Sequence, residues 1–105
     1  MKREARLLKE KAVDSLVLTI EHFNRPSERG RTTTVLILLD HAFEMLLKSA
    51  ILHRGGKIRE ARGRETIGFD ACVRKALDGT VQFLSKEQAL AVQAINGLRD
   101  AATTV

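Results

Sequence analysis

The stretch that most constrains this chain is VLILLDHAFEMLLKSAIL, Val35 to Leu52. Val35, Leu38, Leu39, Ala42, Leu46, Ala50 and Ile51 recur at three- and four-residue intervals, the period of one helical face. Ile37, Phe43, Met45 and Leu47 widen that face until the helix is apolar on most sides. Asp40, Glu44 and Lys48, each four residues apart, form its polar stripe. Such a helix has to be covered by others, so it belongs at the centre of an all-α fold.

Three breaks divide the chain into four segments. Asn24, Pro26, Ser27 and Gly30 mark a helix–helix connection. His53 to Gly68 holds four of the seven glycines, and Asp78 to Thr80 is a short third break. The first segment runs from Lys2 to Phe23, with Leu8, Ala12, Leu16, Thr19, Ile20 and Phe23 as its expected inward stripe. The second, from Arg31 to His53, contains the central stretch. The third is FDACVRKALDG, with Phe69, Cys72, Val73, Ala76 and Leu77 on one face and Gly79 as its stop. The fourth opens at Ser85, where Ser85 and Gln88 have the spacing of a capping box. Its expected stripe is Ala91, Ala94, Ile95, Leu98, Ala102 and Val105, with Gly97 either weakening the helix or admitting another backbone. These segments predict an up-and-down bundle of four main helices in a single domain, residues 1–105. The apolar close at Val105 also suits the N-terminal part of a longer protein.

Composition agrees with helices. There are four Phe and neither Tyr nor Trp, so the core is built from Leu, Ile, Val and Ala. A single cysteine, Cys72, rules out an internal disulfide and suits a reducing, cytoplasmic setting. Its apolar helical position makes it a core residue rather than a nucleophile. No apolar run reaches the roughly 18–20 residues of a membrane span, so no membrane contact is expected. His22, His41 and His53 lack partners at metal-ligand spacing, and Gly55-Gly56 is too short for a phosphate cradle, so neither a metal nor another cofactor is expected.

A formal net charge of +5 permits nucleic-acid binding. The long loop from Arg54 to Gly68 concentrates Arg54, Lys57, Arg59, Arg62 and Arg64. They are either a solvated charge run or contacts to an RNA backbone, with Lys48 as a neighbouring candidate. Glu44 and Lys48 read either as an i, i+4 ion pair on a solvated stripe or as part of a site. Arg99, followed by Asp100, flanks the apolar stripe of the last helix. It is either a structural ion-pair partner or a phosphate ligand, oriented in the second case by Glu44.

Two stretches resemble the HEPN superfamily of small helical domains. One is NRPSERGRTTTVLILLDHAFEMLLKSAIL, with its Asn-x-Pro turn and the run Glu44-Met45-Leu46-Leu47-Lys48-Ser49-Ala50. The other is GLRDAATTV, where Arg99-Asp100 matches the start of the Arg-x4-6-His motif of HEPN ribonucleases. The resemblance implies a homodimer, RNA as target, and a bacterial defence or toxin–antitoxin setting with an antitoxin or other protein as partner. It also implies metal-independent attack of a 2′-OH on the adjacent phosphate. A histidine moves the proton in that reaction, and an arginine stabilises the growing charge.

The histidine is where this chain departs from the motif. Four intervening residues lead to Thr104, five to Val105, and six run past the last residue. A threonine hydroxyl is no base near neutral pH. The chain is therefore expected to be a ribonuclease by descent that is truncated, inactivated or never catalytic, with Arg99, Asp100, Glu44 and the Thr104 position as its site. The alternative is a non-catalytic helical module that dimerises or binds a protein.

Overall fold

The computed structural model describes residues 2–24, 31–59, 65–77 and 83–103. They form four helices: α1 (Arg3–Phe23), α2 (Arg31–His53), α3 (Phe69–Leu77) and α4 (Lys86–Thr103). No strand forms among the described residues. An isolated antiparallel bridge, Arg59 to Thr66, ties the two ends of the long loop together. The expected all-α bundle of four helices is what folds, with α2 at its centre. α2 touches each of the other helices, and α1 packs against α2 alone.

The helix ends follow the local chemistry. Ser85 and Gln88 form the reciprocal capping box that opens α4: the Gln88 amide donates to Ser85 Oγ and the Ser85 amide to Gln88 Oε1, both at 3.1 Å. Gly55 ends α2 with a φ of 87°, a left-handed conformation that favours glycine. The Gly56 amide then donates to the Ile51 carbonyl at 2.8 Å and the Gly55 amide to that of Leu52 at 3.0 Å. This is a Schellman motif, and it gives Gly55-Gly56 a structural role. The Pro26 turn and the Asp78–Thr80 break lie outside the described residues.

The main core lies where α2, α3 and α4 meet the loop. Leu47, Ile51, Cys72, Val73, Ala76 and Val92 are buried there. Ile58, from the charged loop, is fully buried among them. The loop is thus anchored by its one large apolar residue in the described part before the bridge. The inward face of α3 is the expected one.

On α1 and α4 the expected faces turn inward only in part: Ala12 and Thr19 are buried and Leu8, Leu16, Ile95 and Ala102 are half-buried. Ile20 and Phe23 were expected on the α1 core stripe, yet they are 60% and 66% exposed. The fully buried positions of α1 are small or hydroxylated: Ala5, Ala12, Ser15 and Thr19. One serine hydroxyl from each helix crosses the contact. Ser15 Oγ donates to the Leu38 carbonyl at 3.2 Å, and Ser49 Oγ of α2 donates to the Ala5 carbonyl at 2.6 Å. Small side chains let the two backbones come close enough for these bonds, and the bulky stripe of Val13, Val17 and Ile20 is left outside. On α4 the buried residues are Ala89 and Val92, while the expected Ala91, Ala94 and Leu98 are exposed. The face turned inward continues through Asn96 and Arg99, and what draws it in is polar.

Candidate functional site at the contact of α2 and α4

Asp40, at the head of the polar stripe of α2, is buried. Asn96 Nδ2, from α4, donates to it at 3.0 Å from Oδ1 and 3.3 Å from Oδ2. Arg99 stands one turn further along α4, on the same face as Asn96. Its Nε lies 3.2 Å from Asp40 Oδ2, and its Nη2 lies 2.9 Å from Asp100 Oδ1. The Nε–H is not aligned on the Asp40 oxygen, so this contact is an ion pair rather than a hydrogen bond. A buried carboxylate needs such partners, because an unpaired charge out of water is strongly disfavoured. This requirement rotates α4 so that Asn96 and Arg99 face α2 in place of Leu98.

Of the expected catalytic residues, Arg99 and Asp100 do come together. Glu44 does not join them. One turn beyond Asp40, it turns instead to Lys48, whose Nζ lies 2.9 Å from Glu44 Oε2 and donates at 2.6 Å to Thr66 Oγ1. The carboxylate that orients Arg99 is therefore Asp40. Asp40 had been assigned only to the stripe, and Asn96 to nothing. The signals that would have found them are the i, i+4 step from Glu44 back to Asp40 and the i, i−3 step from Arg99 back to Asn96. The Thr104 position lies outside the described residues. Thr103 turns its hydroxyl back on the Arg99 carbonyl at 2.9 Å.

The basic residues are dispersed among different neighbours. The side chain of Lys48 is only 4% exposed, so it is not a solvent-facing contact for RNA. Its pairing with Glu44 is as expected, but on the buried floor of a cleft rather than on a solvated stripe. Arg59 binds Glu4 of α1 at 2.7 Å, and that hydrogen bond holds the Glu4 carboxyl below its ordinary range. Arg54 lies over the Phe83 ring, 5.5 Å from its centroid. The Lys57 carbonyl accepts from Lys75 Nζ at 2.6 Å. Arg62 and Arg64 lie outside the described residues. Cys72 is buried, and burial pushes its thiol up to about 11, which suits a core residue. Among the described residues no group of His, Cys, Asp and Glu could hold a metal ion, and no helix is long and apolar enough to cross a membrane.

A family model described as a domain of unknown function, DUF3644, matches residues 7–103. The chain belongs to the DUF3644 family. No curated protein and no solved structure matches it. The DUF3644 match takes in all of α2, α3 and α4, and so every residue of the Asp40, Asn96, Arg99 and Asp100 cluster. The description of DUF3644 names no activity, so a function has to be drawn from the chemistry of this cluster and of the surfaces around it.

Proposed function

We propose that this chain is an RNA-directed domain similar to HEPN domains, working as a homodimer in the cytoplasm within a bacterial defence or toxin–antitoxin system. It is a metal-independent endoribonuclease by descent, inactive or incomplete in this chain, that binds RNA through Arg99. The observation that carries this reading is the position of Arg99. The arginine that the resemblance singles out is held by a buried carboxylate of the central helix, and 36% of its side chain stays open. A guanidinium held between Asp40 and Asp100 is positioned to present its remaining Nη donors to a phosphate. Thr104 stands where the motif histidine would follow after four residues, and a threonine hydroxyl there cannot carry the proton transfer that cleavage needs.

Three purified proteins test this: the chain as it is, Thr104→His, and Thr104→His with Arg99→Ala. The reading expects metal-independent cutting of RNA by Thr104→His alone. Absence of cutting by all three, each still folded and dimeric, would remove the ribonuclease ancestry.

A second reading is a non-catalytic interaction module. It is favoured by the charge around Arg99, where two carboxylates face one guanidinium, and by the exposed Val13, Val17, Ile20 and Phe23 on α1. A dimer indifferent to RNA, and dissociated by Val17→Glu with Ile20→Glu, would support it over the first.

A further inference from the structure

We infer that the cleft between α1, α2 and the bridged loop is a binding site for a small organic anion with an apolar body, its head group a carboxylate or a phosphate. This site lies on another face of α2 than the Arg99 cluster: Lys48 on its wall is two turns from Asp40, about 12 Å at 1.5 Å per residue, and His41, next to Asp40, leaves the helix about 100° around from it. The cleft holds about 550 Å³, within the range of sites that enclose small molecules.

Its wall divides by chemistry. One part is apolar, formed by Leu7 and Leu8 of α1, Met45 of α2 and Ile58 of the loop. The other part carries nitrogen donors, the cations Lys11 of α1, Lys48 of α2 and Arg59 beside the bridge, with the imidazole of His41 of α2 among them. Two of these cations are answered by carboxylates, Arg59 by Glu4 and Lys48 by Glu44. Lys11 and His41 have no ion-pair or hydrogen-bond partner among the described residues. Lys48 is the informative residue. An ammonium group has three donors, and Glu44 and Thr66 accept two of them. The third has no protein acceptor among the described residues, on a side chain that is nearly all buried. A buried cation with a donor to give, an unpaired lysine and an imidazole around one cleft select an anion. The Leu8, Met45 and Ile58 wall selects one that carries an apolar body.

The test separates head from body. Octanoate, octyl phosphate, octanol and inorganic phosphate are each titrated into the isotope-labelled protein, below the concentrations at which the amphiphiles aggregate. The Met45 methyl and the Lys11, His41 and Thr66 amides are followed by NMR. Octanoate or octyl phosphate should shift these signals and bind at least about tenfold more tightly than octanol or inorganic phosphate, the weight of one charge-assisted hydrogen bond. The stronger of the two identifies the head group. Lys11→Gln with His41→Gln, both on exposed positions, should weaken that binding by about tenfold or more while the helical signal stays the same. The inference is overturned if octanol binds as well as the anions, or if the double variant binds unchanged. It is equally overturned if none of the four binds, or if the shifts fall on Phe43, Ala91 and Ile95 of the apolar groove between α2 and α4.

Discussion

Arg99 and Asp40 meet across the contact of α4 with α2, Nε to Oδ2 at 3.2 Å, and the carboxylate is the buried partner. The asymmetry predicts unequal losses. Arg99→Ala leaves Asp40 buried with Asn96 as its remaining partner, and should lower stability by about 2 kcal/mol. Asp40→Ala removes the buried charge itself but strands the Asn96 amide, and should cost about 1–2 kcal/mol. In urea unfolding, the double variant should lose clearly less than the sum of the two. Strict additivity would mean that the two side chains do not act together.

Gly55 should resist substitution. Its φ of 87° is one that L side chains rarely adopt, and it closes the Schellman turn at the end of α2. Gly55→Ala should destabilise by about 1 kcal/mol, with Gly55→Asn milder. Thermal melts of the two variants, compared with the parent chain, check the order.

Gly97 should behave in the opposite way. It lies within α4, and a Cβ added there meets no atom within 4 Å. Gly97→Ala should therefore stabilise the monomer by about 0.5–1 kcal/mol through helix propensity. A loss of dimer on the same substitution would instead place a second backbone against this face.

These two glycines show what could be read from the sequence and what could not. The helix borders and the capping box of α4 were legible because they rest on chemistry within a few residues, as Ser85 and Gln88 do. The central place of α2 was legible because its apolar surface exceeds what one neighbour can cover. The inward faces of α1 and α4 were legible only in part: Ala12, Thr19 and Ile95 lie inward as their spacing predicts, whereas Ile20, Phe23 and Leu98 do not. α1 is turned by the hydroxyls of Ser15 and Ser49, which find backbone carbonyls on the opposite helix. α4 is turned by Asp40, whose need for a cation and an amide outweighs the burial of Leu98. Both are pairings between residues far apart in the chain, and periodicity carries no record of them. For the same reason Glu44, rather than Asp40, was expected beside Arg99.

Cys72 supplies a pH dependence with a fixed sign. Burial raises its thiol from an ordinary value of 9.0 to about 11. Between those values the folded chain keeps a proton that the unfolded chain has lost. This contribution is therefore full below pH 9 and lost as pH rises towards 11. Cys72→Ala should flatten that part of the stability curve. At pH 8 a thiol reagent should label the parent chain only as fast as it opens, so labelling at the rate of a free cysteine peptide would contradict the buried site.

The measurement that tests the account most directly is binding of single-stranded RNA to the unmodified chain and to Arg99→Gln, each across a salt series. The complex should weaken steeply with salt and be at least about tenfold weaker in Arg99→Gln, whose fold is checked by its helical signal. RNA affinity that is the same in both proteins, or absent from both, would contradict it and leave Arg99 as a structural partner of Asp40.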